Sequence, residues 1–138
     1  MASDISDQLR TAVAGRAGYC CEYCLIHQDD AVFQHQIDHV VSRKHSGSSS
    51  FGNLAYACIL CNRHKGSDVA SIQPTTGLVI RLFHPRRDRW SDHFHLDAGL
   101  IMARTDVGTV TIQLLKLNAP ERIAERQLLQ RLPRFPLH

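Results

Sequence analysis

The sequence predicts an α+β fold: a small zinc-stapled core followed by an extension of short strands and helices. Three observations lead there. Two Cys-x-x-Cys pairs, Cys21/Cys24 and Cys58/Cys61, stand thirty-three residues apart. Short alternating apolar stretches lie between and after them, and helix-like spacing appears towards both ends. At 138 residues, with 43% hydrophobic and 21% charged content, the chain is long enough to bury one modest core.

The elements follow in order. Ser6 or Asp7 caps a helix over 8–14, which Gly15 and Gly18 end. A cysteine-rich turn occupies 19–24. Phe33, His35 and Ile37 alternate with polar neighbours up to Asp38 and predict a short strand, extended by Val40 and Val41. Small residues make 45–52 a loop, and 62–65 starts a short helix that Gly66 stops. Beyond residue 71, Gly77 leads into a strand over 78–83, and strands over 93–96 and 100–103 flank Ala98 and Gly99. A helix is expected over 107–117. Pro120 opens a last helix whose apolar face would be Ile123, Ala124, Leu128 and Leu129. The organisation expected is one domain over 1–138, with its core at about 10–70 and a basic extension over 71–138.

The acidic N-terminus has neither the basic start nor the apolar stretch of a signal peptide, and no apolar run reaches spanning length. A cytoplasmic protein without membrane partners is therefore expected. In a reducing compartment, closely spaced cysteines point to metal rather than to disulfides. Redox chemistry at one pair, or buried free thiols, would also use such cysteines. Two pairs favour a structural zinc ion on Cys21, Cys24, Cys58 and Cys61, since zinc takes four soft ligands in a tetrahedron. Such a site is closed, so this metal would not be catalytic. Cys20 is left as a small buried hydrophobe.

Charge is uneven. Residues 1–70 carry six Lys/Arg against seven Asp/Glu, and residues 71–138 carry ten against six. A basic second half suits a phosphate-rich partner. Arg86 and Arg87, beside Trp90, are candidate nucleic-acid contacts, as are Arg43, Lys44, Arg63 and Lys65. Trp90 itself is expected in the core.

Between the cysteine pairs stand Asp38-His39 and Gly52-Asn53-Leu54; Asn62 lies directly behind Cys61, and Lys65-Gly66 follows. In that order and spacing, over residues 10–70, the string resembles the HNH endonuclease family. The resemblance implies a treble-clef zinc frame holding a ββα-metal core. It also implies hydrolysis of DNA to 5′-phosphate and 3′-hydroxyl ends. His39 would be the general base, since imidazole exchanges a proton near neutral pH. Asp38 and Asn62 would hold one divalent ion, Mg²⁺ or Mn²⁺, through oxygen ligands. Asn53 would fix the loop and the angle of the His39 ring. RNA is the second substrate class, and a second copy or a larger complex would supply target choice.

The sequence departs from one branch of the family. Asn62 and Gly66 stand where that branch has metal-ligating histidines, so the site reads as an H-N-N variant with a sparse metal shell. Adjacent strand residues face opposite ways, so the strand must end or twist at Asp38-His39. His35 reads as structural and His64 as facing solvent or phosphate. The rival is a non-catalytic treble-clef zinc module binding nucleic acid or protein. Intact Asp38, His39, Asn53 and Asn62 argue against it.

Overall fold

In the computed structural model, which describes residues 5–137, helix α1 (Asp7–Arg16) starts where Ser6 Oγ accepts from the Leu9 amide at 3.1 Å. It runs through Gly15 rather than ending there. The chain then turns at Gly18, whose φ of 62° needs no Cβ. Strand β1 (Gln36–His39) pairs antiparallel with β2 (Leu54–Ala57), placing Asp38 opposite Ala55 and His39 opposite Leu54.

The strand is shorter than the alternation predicts, at both ends. His35 lies ahead of it, buried, with Nε2 2.9 Å from Ile26 O. After His39, the Val40 amide still donates to Asn53 O, but the backbone of Val41 is bound by the Asn53 side chain instead. α1 covers the hairpin by burying Val13 and Ala14 against Leu54 and Tyr56, with Ile37 alongside.

Helix α2 (Ile59–Lys65) begins three residues earlier than predicted because Cys58 caps it, its Sγ accepting from the Cys61 amide. Gly66, at φ 53°, ends it. The Gln36/Asp38 face of β1 meets this helix through Asn62 and Lys65, which lie one turn apart on one helix face.

The extension contributes hairpin β3 (Ala70–Ile72) and β4 (Val79–Arg81). Next come a short α3 (Trp90–His93) and hairpin β5 (Phe94–Asp97) and β6 (Leu100–Ala103). Helices α4 (Asp106–Leu114) and α5 (Pro120–Arg131) finish the fold. β4 stops short of the predicted 78–83 because Leu82 and Phe83 turn into the core. The main apolar cluster joins Cys21, Tyr23, Cys24 and Cys61 to Phe83, Phe94, Leu115 and Leu129, so its residues come from both halves. Among the described residues, no helix is long and apolar enough to cross a membrane.

Of the four residues that mark the apolar face of α5, only Leu129 is buried, with Ile123 half-buried. Arg122, Arg126 and Leu129 are buried, while Ala124 and Leu128 are exposed. The reason lies in what the helix covers: beside the apolar cluster that takes Leu129, carbonyl oxygens and sulfurs. Arg126 Nε donates to Gly99 O at 2.7 Å and its Nη2 to Leu117 O at 2.8 Å.

Candidate functional site

The four sulfurs of Cys21, Cys24, Cys58 and Cys61 are buried, with their ligand atoms within 4.8 Å of one another. The 3.7 Å between Cys24 Sγ and Cys58 Sγ matches the edge of about 3.8 Å of a tetrahedron with Zn–S bonds near 2.3 Å. In each pair, the second cysteine's amide lies 3.4 Å from the first cysteine's sulfur, which orients both knuckles. The donor set therefore fits a zinc ion. Cys20 is buried outside the cluster, and burial pushes its thiol up to about 11.

A buried cation completes the cluster. Arg122 Nη2 donates to Cys61 Sγ at 3.1 Å and lies 3.8 Å from Cys58 Sγ, while Nη1 donates to Leu115 O at 2.9 Å. Burial works against its charge, yet the sulfurs of Cys61, Cys24 and Cys58 raise its pKa overall. A zinc ion with four thiolates keeps a net charge of about −2, which a guanidinium partly offsets. Sequence reasoning missed this residue: an arginine on a helix 61 positions past Cys61 carries no metal signal.

Asp38 and Asn62 both lie along the β1–α2 interface, each with its own partner. Asp38 is 3% exposed, and both its oxygens are engaged: Tyr23 Oη donates to Oδ2 at 2.7 Å and Lys65 Nζ to Oδ1 at 3.2 Å. Burial pushes the Asp38 carboxyl above its ordinary value, against the opposing pull of Lys65, Tyr23 and His39. Asn62 Nδ2 donates to Gln36 Oε1 at 2.6 Å. A carboxylate oxygen has room for a second partner and an amide offers its own oxygen, the donor types that a hard divalent cation takes. Tyr23 and Gln36 were not anticipated as partners here.

β1 ends at His39, the last residue in register with β2. The His39 ring is half-buried, and its Nε2 lies 2.9 Å from Ser49 Oγ. Asn53 clamps the loop around it. Its Oδ1 accepts from Val41 N at 3.0 Å, while Nδ2 donates to Val41 O at 2.9 Å and to Ser48 O at 2.7 Å. Asn53 thus acts on backbone, and the side chain meeting the ring is Ser49, one residue beyond the clamped Ser48. The serine-rich loop has no periodicity that would have singled it out.

Two expected phosphate contacts are committed elsewhere. Lys65 is 1% exposed and turned inward onto Asp38, where a surface phosphate cannot meet it. Arg86 is half-buried and paired with Glu22. Arg43, Lys44, Arg63 and Arg87 remain at the surface. His64 is half-buried on α2, and burial together with Lys116, Arg122 and Arg63 lowers its pKa. Trp90 is half-buried against the core, its Nε1 donating to Tyr23 O at 2.9 Å.

This arrangement puts a histidine at a strand end, an asparagine clamp behind it and a four-sulfur cluster beneath, all within one stretch of chain. Residues 21–68 match the model of the HNH endonuclease family. That segment is similar to an HNH domain. No curated protein and no solved structure matches the chain. The HNH segment contains all four cysteines together with Asp38, His39, Asn53 and Asn62, and it supports a nuclease-type activity.

Proposed function

We propose that this chain is a metal-dependent endonuclease that hydrolyses phosphodiester bonds in DNA and leaves 5′-phosphate and 3′-hydroxyl ends. The observation that carries the proposal is the placement of His39 at the end of β1, inside a loop that Asn53 ties at Val41 and Ser48. In the tautomer whose Nε2 donates to Ser49 Oγ, Nδ1 would be the basic nitrogen and would take the proton of the attacking water. Asp38 and Asn62 would hold the divalent ion, Mg²⁺ or Mn²⁺. When bound, it neutralises the phosphate and stabilises the leaving oxygen. Exposed Arg43, Lys44, Arg63 and Arg87 would hold the flanking phosphates and set orientation without reading bases. Zinc on the four cysteines would brace the frame and take no part in the chemistry.

The test is cleavage of supercoiled plasmid by the zinc-loaded protein with Mg²⁺ or Mn²⁺, beside EDTA and His39→Ala. Metal-dependent nicking or linearisation is expected, and it should fall by about 10²–10⁴-fold in the variant, the range a positioned general base supplies. If wild type and variant are equally inert while the protein holds zinc and binds DNA, the non-catalytic zinc module replaces this reading.

A further inference from the structure

Lys65 ends α2 and is 1% exposed. A lysine so placed has given up its hydration and must find compensation. It finds two acceptors, Asp38 Oδ1 and His39 O, each 3.2 Å from Nζ. An ammonium therefore already sits on the carboxylate that, in the reading above, holds the divalent ion. Lys65 also lines a cavity of about 420 Å³, shared with Val40, Val41, Phe83, Asp68 and Arg87. Its side chain thus has open volume beside it, with the exposed carboxylate of Asp68 and the exposed guanidinium of Arg87 on the same cavity wall.

We infer that Lys65 is an exchangeable internal cation: it neutralises Asp38 in the metal-free protein and moves into this cavity when a divalent ion takes the carboxylate. The inference rests on Asp38 being a metal-holding residue. Two cations on one carboxylate repel at contact range, and low-dielectric surroundings strengthen that repulsion. Tyr23, on the other carboxylate oxygen, is a neutral donor and stays. Asp68 gives the displaced ammonium a new counter-charge. The same movement brings a second cation beside Arg87, so metal loading would raise the positive charge offered to a phosphate.

Amine labelling of the zinc-loaded full chain with acetic anhydride, read peptide by peptide, tests this. The sequence has three lysines, and Lys44 and Lys116 are exposed internal standards. Mn²⁺ is titrated into the same samples, with bound ion followed by electron spin resonance. Without Mn²⁺, Lys65 should react at least about tenfold more slowly than the two standards. At saturating Mn²⁺ its rate should rise by about tenfold while theirs hold steady. Should Mn²⁺ bind and Lys65 stay protected, the exchange is wrong and the metal-holding role of Asp38 stands. No Mn²⁺ binding, or binding that Asp38→Asn leaves unchanged, would overturn both.

Discussion

The side-chain oxygen and nitrogen of Asn53 make three bonds to backbone groups of Val41 and Ser48. Truncation to alanine leaves these groups short of partners, a cost of about 1–3 kcal/mol in a partly buried loop. Asn53→Ala is accordingly expected to lower both thermal stability and plasmid cleavage, with zinc content unchanged by metal analysis. Gly47 makes the same loop possible from the other side, since a Cβ there would lie 1.7 Å from Val41 O. Gly47→Ala must shift the loop that carries Ser49, so cleavage should drop as it does in Asn53→Ala. Unchanged cleavage in a folded Gly47→Ala protein would show that the loop's position does not matter to His39. The asparagine was legible because a motif with fixed spacing surrounds it. Ser49 and Lys65 were not, because their partners sit ten and twenty-seven residues away and only folding brings them into reach.

At the scale of elements, α5 shows how a correct boundary can hide a wrong face. Pro120 marks its start as the sequence indicates. Its buried ridge, Arg122, Arg126 and Leu129, has the helical spacing that apolar residues usually reveal, but two of the three are cationic. Periodicity of hydrophobicity cannot detect a face selected by carbonyls and sulfurs. Arg122→Met should therefore destabilise the protein by about 3 kcal/mol, as loss of a buried charged partner does. It should also speed zinc loss to a chelator, read with a colorimetric zinc indicator beside a thermal melt. A variant that melts and releases zinc like wild type would mean that the Arg122–sulfur contacts contribute nothing net.

Across the whole molecule, the cysteine cluster lies in an apolar core to which Phe83, Phe94, Leu115 and Leu129 also belong. Trp90 of the extension donates to the carbonyl of Tyr23, inside the first cysteine knuckle. Removing zinc should consequently unfold both halves together. On chelator titration, the red shift of Trp90 emission and the loss of helical circular dichroism should share one midpoint. Two separated midpoints would indicate an extension that folds without the metal. The same view revises the charge count. Arg81 pairs with Asp88, Arg86 with Glu22 and Arg134 with Asp30, while Arg122 and Arg126 are buried. Half of the ten cations in the second half thus hold the fold together rather than wait for phosphate.

The sequence by itself determined the α+β class, the four cysteines, the likeness of residues 21–68 to the HNH family and the positions of most elements. Those features rest on local spacing: Cys-x-x-Cys knuckles, Asp-His at a strand end, and caps and glycines at helix ends. Tertiary structure decided who meets whom. It put a lysine on the Asp38 carboxylate, a serine on the His39 ring and an arginine on the cysteine sulfurs. Buried polar groups take whichever partner the fold brings within hydrogen-bond distance, and that distance in space has no counterpart in separation along the chain.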